Sequence, residues 1–223
     1  FLAKAGFPVL RFDLPGMGDS PGDLPSFEDT APHIAAAIDG FQQCCPAVHR
    51  VVLWGLCDGA SASLLYVDAT RDPRIVGLAL LNPWVRSEVS LARARVKHYY
   101  WQRLGEPDFW RKLLRGGVGW GALRKLGQNI QSARDRGSAP TGFQDRMARG
   151  WLAFGKPILL LRSERDLTAQ EFVEHANAGA RWQDWATKSA LSNVSIEQAD
   201  HTCSMPSSRQ AVEQETLTWL SKV

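Results

Sequence analysis

The chain has 223 residues, enough for one domain with a substantial core, and its 44% hydrophobic and 22% charged residues are ordinary for a globular protein. No apolar run approaches the roughly 18 residues of a membrane span, and the chain does not open with a secretory signal. The net charge is a modest +3, and four cysteines are too few for a disulfide framework, so we expect a reducing, cytoplasmic setting.

Apolar runs and turn residues predict strands that alternate with helices along the chain. In chain order we predict a helix end at 1–6, a strand at 9–13, a helix at about 26–43, a strand at 51–54, a helix at 60–70, a strand at 75–81, helical stretches at 90–104 and 108–114, a strand at 157–162, helices at 168–178 and 182–189, a strand at 194–197 and a helix at 207–222. The strands are continuous apolar runs, which is typical of a mostly parallel sheet with helices on both faces, so the predicted class is α/β.

The segment 83–156 interrupts this alternation and differs in charge from the rest. It carries fifteen Lys and Arg against five Asp and Glu, a net +10, whereas the remainder carries −7, and it holds five of the nine tryptophans. We expect a helical cap insertion at 83–156 between two parts of a core, 1–82 and 157–223. A basic surface with aromatic residues suits an anionic substrate, a membrane surface or nucleic acid, and a solvated helix face with buried tryptophans explains the same composition.

A nucleophile motif lies between the second predicted strand and the helix that follows. Residues 55–59 read GLCDG, which matches the G-x-S-x-G turn with cysteine in place of serine. The helix N-terminus favours a thiolate at Cys57, and the backbone N–H of Asp58 is placed to face a developing oxyanion. We therefore predict Cys57 as the nucleophile; a buried cysteine in an ordinary strand-to-helix turn is the alternative.

A thiol nucleophile needs a base, and the base needs an orienting carboxylate. Asp166 follows one predicted strand and His201 follows the last, so both are expected at the carboxyl edge of a parallel sheet, in the chain order nucleophile, acid, histidine. Asp166 is also a candidate helix N-cap, and His201 a candidate loop histidine without a role. Glu164 and Asp200 are the second and third choices for the acid.

Glycines at 16 and 18 do not form a dinucleotide fingerprint, because the third glycine would fall on Pro21. Residues 13–20, DLPGMGDS, instead match a D-x-x-G-x-G-x-S loop that shapes one wall of a hydrolase active site. We expect Leu56, Trp84 and Met17 to contact the substrate. No cluster of Cys, His and carboxylates has zinc spacing, so no metal and no cofactor are predicted.

Four stretches together carry a family resemblance: residues 14–20 (LPGMGDS), 54–60 (WGLCDGA), 81–86 (LNPWVR) and 95–100 (RVKHYY). They resemble the exosortase A system-associated hydrolase 1 group, α/β hydrolases encoded beside bacterial exosortase and exopolysaccharide genes. The cysteine motif is also similar to that of dienelactone hydrolase. The resemblance implies an α/β-hydrolase fold and hydrolysis of an ester, thioester or lactone through an acyl-cysteine intermediate.

Two other functions stay open: acyl transfer to an acceptor by the same triad, and a non-catalytic interaction module of an envelope-assembly locus. The expected partner is a small acyl substrate, anionic if the basic cap selects it, with neither nucleic acid nor a transmembrane segment involved. The family's fold also implies that three strands precede the residues matching 1–6, and that one of them lies between the strands matching 9–13 and 51–54. On that resemblance, we expect about 40 to 60 further N-terminal residues in the active protein.

Overall fold

The structure is a computed structural model that describes residues 1–85 and 142–223. The predicted helical stretches at 90–104 and 108–114 lie outside the described residues. Residues 1–85 and 143–223 form one compact unit. No helix in that part of the chain is long and apolar enough to cross a bilayer.

Strands and helices alternate in the compact unit, as the apolar runs predict. The main elements are α1 (Ala31–Cys44), β1 (Val51–Leu56), α2 (Asp58–Thr70), β2 (Ile75–Leu81), α3 (Phe143–Ala153), β3 (Ile158–Ser163), α4 (Leu167–Ala178), β4 (Leu191–Ile196) and α5 (Pro206–Leu220). Short 3-10 helices lie at Leu2–Ala5, Phe27–Asp29 and Ala180–Trp182. Gly6 closes the first of them with a left-handed φ of 92°, a conformation that glycine adopts without strain.

The four strands form one parallel sheet in the order β1-β2-β3-β4. Leu78–Leu81 of β2 pair on one side with β1 and on the other with β3, and this stretch is fully buried. All four strands run the same way, so their carboxyl ends meet at one edge of the sheet. That edge is where open α/β sheets place their sites.

Alternate residues of the strands pack into two separate hydrophobic cores, because successive side chains point to opposite faces of the sheet. Leu78 and Leu80 pack on one face with residues of α1, α2, α3 and α4, whereas Ala79 and Leu81 pack on the other with Val212 and Trp219 of α5. Helices therefore cover both faces, and the predicted α/β class is confirmed.

The strand predicted at 9–13 is wrong. These residues form no ladder with any described strand, and Val9, Leu10 and Phe12 are each between 43% and 48% exposed. An apolar run becomes a strand only where its backbone groups find a neighbour, and β1 pairs with β2 alone among the described strands. An open apolar groove of about 590 Å³ lies between residues 7–12, α1 and β1.

The helix predicted at 182–189 is also wrong beyond its first residue, since a 3-10 turn ends at Trp182 and further turns follow. Trp182 and Trp185 are three residues apart, a spacing that also occurs on one face of a helix. In the structure both rings pack on Phe172 and Trp151, and the Trp185 carbonyl accepts a hydrogen bond from Trp151 Nε1 at 3.1 Å. Two turns whose tryptophans pack on the same core residues can therefore show the sequence spacing of a helix.

Helix α3 falls within the segment 83–156 and packs against α2. A Cβ at Gly150 would lie 2.3 Å from the Leu64 carbonyl oxygen, so only glycine permits this approach. Trp84 and Phe143 stack with ring centroids 5.6 Å apart, and Gln144 Nε2 donates to the Val85 carbonyl at 3.3 Å. The chain therefore leaves and re-enters the compact unit at neighbouring points. The division at residues 82 and 156 stays a prediction.

Candidate active site

Three predicted site residues follow three parallel strands. Cys57 comes directly after β1, Asp166 lies three residues after β3, and His201 lies five residues after β4. Because the carboxyl ends of these strands share one edge of the sheet, residues far apart in sequence are brought to one region. The chain order predicted from the motif is the order in which the sheet presents them.

Cys57 adopts the strained backbone that a nucleophile turn requires, with φ of 57° and ψ of −117°. A non-glycine residue at positive φ is uncommon and is held there only by its surroundings. Here the Cys57 N–H donates to the Leu81 carbonyl at 2.9 Å, and its carbonyl accepts from the N–H groups of Ser61 and Trp84 at 3.2 and 3.3 Å. The side chain is half-buried at the N-terminus of α2.

The two motif glycines play different parts. A Cβ on Gly55 would lie 2.4 Å from the backbone carbon and oxygen of Gly59, so the first glycine is required for the chain to turn back on itself. A Cβ on Gly59 meets nothing within 4 Å. Of the two motif glycines, only Gly55 is therefore required by a close approach of the backbone.

His201 and Asp166 are hydrogen-bonded, with Nδ1 of the histidine 2.9 Å from Oδ2 of the aspartate. A carboxylate only accepts, so Nδ1 carries the proton and the proton-accepting nitrogen is Nε2. The Asp166 side chain is 7% exposed and the His201 side chain 38%. A buried carboxylate behind a partly open imidazole orients the ring.

Asp166 is at the same time the N-cap of α4. Its two carboxylate oxygens accept from the N–H groups of Thr168 and Ala169, each at 3.2 Å. The two interpretations made from sequence, helix cap and partner of the histidine, therefore hold together for one side chain.

The other two carboxylates considered for the acid are engaged elsewhere. Glu164 Oε2 accepts from the Gln198 N–H at 2.8 Å, which ties the loop after β3 to the loop after β4. Asp200 accepts from the N–H groups of Thr202 and Ser204 and from the Ser204 hydroxyl. The Ser204 hydrogen bond is the main cause that lowers the pKa of Asp200. Of these three carboxylates, Asp166 is the one that binds the His201 ring.

Four further residues were predicted for the site: Asp58, Leu56 and Trp84, which adjoin or bind Cys57, and Met17, which lies in a separate loop. Asp58 is the first residue of α2, where amide groups lack partners within the helix, and its side chain accepts from the Gly59 N–H at 2.8 Å. Leu56 ends β1, and the half-buried Trp84 is fixed to Ser61 by two hydrogen bonds of 2.7 and 2.8 Å. Met17 is exposed in a loop whose Gly18 has φ of 53° beside the Asp13 carboxylate.

One polar group near His201 was missed by the sequence analysis. Asn82, at the end of β2, is fully buried and bonds both Ser163 and the carbonyl of His201. The signal available in the sequence was a lone amide directly after a strand that is apolar throughout. Cys203, also buried here, has its pKa raised by that burial.

Within residues 1–85 and 142–223, no group of three or more His, Cys, Asp or Glu side chains is arranged so that it could bind a metal ion. The absence of a metal and of a cofactor stays a prediction. The chemistry considered below uses side chains and backbone amides alone.

A parallel sheet with helices on both faces and a strained nucleophile turn after one strand defines the α/β-hydrolase class of fold. The alpha/beta hydrolase family model matches residues 1–215, and the chain belongs to this family. No curated protein matches the chain.

Solved structures share the fold at low sequence identity. An esterase of Pyrococcus furiosus is 16% identical with a TM-score of 0.61, over 99% of this chain and 73% of that one. A monoacylglycerol lipase of Paleococcus ferrophilus is 18% identical with a TM-score of 0.55, over 95% and 82%. A thermophilic esterase of Thermogutta terrifontis with malate bound is 22% identical with a TM-score of 0.52, over 94% and 78%. These likenesses concern the fold.

Proposed function

We propose that the chain hydrolyses an ester, thioester or lactone through an acyl-cysteine intermediate. Cys57 is the nucleophile, His201 the general base and acid, and Asp166 the group that orients the imidazole. The observation that carries the proposal is the His201–Asp166 hydrogen bond of 2.9 Å on the same sheet edge as the strained Cys57 turn. Proton transfer by a positioned histidine contributes roughly 10²–10⁴ to the rate.

In the first half of the reaction, the Cys57 thiolate forms a bond to the carbonyl carbon, and the carbonyl oxygen becomes an oxyanion that the Asp58 N–H stabilises. The proton released by the thiol resides on His201 Nε2 and passes to the departing alcohol or thiol as the acyl bond to it breaks. In the second half, water gives a proton to Nε2 and attacks the acyl-cysteine. Collapse of that intermediate returns the thiol and releases the acid.

The test is a screen of p-nitrophenyl esters and acyl-CoA thioesters of graded chain length, followed by intact-mass detection of the acyl-enzyme. Cys57→Ala should lose turnover and the acyl adduct, whereas Cys44→Ala, at an exposed cysteine away from the site, should keep both. Wild-type turnover in Cys57→Ala would remove the proposal. Product that forms only when an acceptor is added would favour acyl transfer, and no thiol reactivity at Cys57 would favour a non-catalytic module.

The substrate setting is a further part of the proposal. The net +10 of segment 83–156 favours an anionic acyl substrate, and the resemblance to the exosortase-associated group favours a role beside exopolysaccharide genes in the cytoplasm. The comparison that tests it is an acyl-CoA against the neutral acyl-N-acetylcysteamine with the same acyl chain. A preference for the CoA ester that fades with added salt supports the proposal, and equal kcat/KM for the two contradicts it.

A further inference from the structure

Asn82 has a backbone conformation that residues other than glycine rarely adopt. It follows the last residue of β2 with φ of 49°, and its side chain is completely buried. A buried amide is retained only where its hydrogen-bonding capacity is met, because each unmet group costs free energy. Asparagine tolerates the left-handed region better than most residues, yet glycine tolerates it without any side chain. The side chain is therefore present for its hydrogen bonds.

Those hydrogen bonds join three chain segments. The Asn82 carbonyl oxygen accepts from the Ser163 N–H at 2.8 Å, and the amide nitrogen donates to the Ser163 hydroxyl at 2.9 Å and to the His201 carbonyl at 3.0 Å. The Asn82 N–H itself donates to the Leu161 carbonyl at 3.0 Å. One amide thus connects the ends of β2 and β3 to the loop that carries the histidine.

His201 is consequently held at two points. Asp166 fixes its ring through Nδ1, and Asn82 fixes its backbone through the carbonyl. The Glu164–Gln198 bond holds the same loop three residues before the histidine, whereas the bond from Asn82 acts on the backbone of His201 itself. A displacement of 1 Å at a proton-transferring group lowers a rate by about 10². The buried Cys203 lies on the same loop, with its sulfur 3.6 Å from the Ser163 hydroxyl, so the Asn82–Ser163 pair supports the loop on both sides of the histidine.

We infer that Asn82 is a positioning residue for His201: its side-chain amide sets the place of the imidazole by binding the histidine's own carbonyl oxygen. The inference rests on the proposed function for the meaning of that position, since His201 is the base there. Ser163 completes the arrangement by orienting the amide. An ionised aspartate at this position would direct a carboxylate oxygen at the His201 carbonyl, and two acceptors repel.

Two variants separate position from stability. Asn82→Gly removes the side chain without strain at positive φ, and Asn82→Asp keeps the shape but replaces the donor with an acceptor. The control, Trp151→Phe, loses a buried hydrogen bond while it leaves the Asn82–His201 bond intact. Its lost bond, to the Trp185 carbonyl, lies in the core on the other sheet face.

The first measurement needs no substrate. The proton on His201 Nδ1, bonded to Asp166, should give a downfield ¹H NMR resonance in the wild type and in Trp151→Phe, and this resonance should shift or broaden in Asn82→Gly and Asn82→Asp. In the wild type, the Asn82 side-chain amide protons should also exchange slowly with solvent. An unchanged resonance in both variants, or rapid exchange of those amide protons in the wild type, overturns the inference.

The second measurement is the pH profile of Cys57 alkylation by iodoacetamide. Misplacement of His201 should move the profile to higher pH and slow alkylation at pH 7 by at least about tenfold, while the rate at high pH stays at the wild-type value. A loss of stability alone would not move the midpoint, and Trp151→Phe checks this. If His201→Ala leaves the wild-type profile unchanged, the proposed function fails, and the NMR result still decides the role of Asn82.

Discussion

At the scale of single residues, Asp166 performs two tasks that are usually divided between two side chains. It caps α4 through the N–H groups of Thr168 and Ala169 and binds the ring of His201. Asparagine and aspartate are similarly good helix caps, but only the aspartate supplies a negative charge next to an imidazolium. The two tasks can therefore be separated by substitution.

Asp166→Asn should keep most of the stability and lose at least about a hundredfold in kcat, because the cap survives and the charge does not. Asp166→Ala should lose a similar factor in kcat and also about 1 kcal/mol of unfolding free energy, because the α4 amides lose their acceptor. Urea denaturation and steady-state kinetics on the best ester measure the two effects. Equal unfolding free energies for the two variants would remove the capping role.

The His201–Asp166 pair was predictable because the order of the two residues in sequence and their places after predicted strands are both visible in one dimension. The bond between Asn82 and the His201 carbonyl was not, since it joins loops far apart in sequence and has no local period. The sequence ranked Asp166 above Glu164 as the partner of the histidine, and in the structure Asp166 binds the His201 ring while Glu164 binds the Gln198 N–H.

At the scale of elements, the junction of β1 and α2 depends on one glycine. The position of a Cβ on Gly55, 2.4 Å from the Gly59 carbon, lies far inside any real contact, and backbone atoms have no rotamer by which to move away. Gly59 has open space at the same position, and it lies in the first turn of a helix. Two chemically identical substitutions should therefore have opposite outcomes.

Gly55→Ala should destabilise the protein by about 1–3 kcal/mol or more, because the turn must shift to admit the methyl group. Gly59→Ala should leave stability equal or raise it by up to about 1 kcal/mol, because alanine is the better helix former. Midpoints of urea denaturation compare the pair directly. A common midpoint for both variants would mean that the turn is looser than its geometry indicates.

Strands β1, β2 and β3 were predictable to within a few residues, because they are largely apolar runs paired in a parallel sheet. The edge strand β4 contains polar, exposed residues and begins at Leu191, three residues before the predicted start at 194. The run at 9–13 is also partly apolar but has no ladder partner among the described strands, and sequence composition carries no information about neighbours. The helix predicted at 182–189 was wrong for a related reason. The rings of Trp182 and Trp185 pack on Trp151 and Phe172, and only the folded chain brings these four residues together.

At the scale of the whole molecule, segment 86–141 departs and returns where Trp84 stacks on Phe143 and Gln144 binds the Val85 carbonyl. Such a stack contributes about 0.5–1.5 kcal/mol, so the two ends remain joined by their own contacts. The sheet and the His201–Asp166 pair lie entirely in residues 1–85 and 143–223.

Replacing residues 86–141 with a Gly/Ser linker of about six residues should leave a folded protein, because its two ends are already adjacent. The His201 downfield resonance and the alkylation rate of Cys57 should persist, whereas the preference among acyl chains should change. The matched control adds Trp84→Ala to the linker variant, which removes the stack and should lower its unfolding free energy. If the linker variant without Trp84→Ala already loses the His201 resonance, the His201–Asp166 pair depends on residues 86–141, and the prediction is wrong.

The stack of Trp84 on Phe143 also bears on how the chain folds. Pairing β2 with β3 closes a loop over residues 82–157, and each doubling of such a loop costs only about 0.6 kcal/mol in chain entropy. The length of the connection therefore has little effect on the equilibrium stability of the sheet. The folding rate is more sensitive to this connection, because contacts between residues far apart in sequence slow folding. Once Trp84 and Phe143 are in contact, β2 and β3 are close together and pair sooner. Shortening this connection should accelerate refolding more than it raises stability.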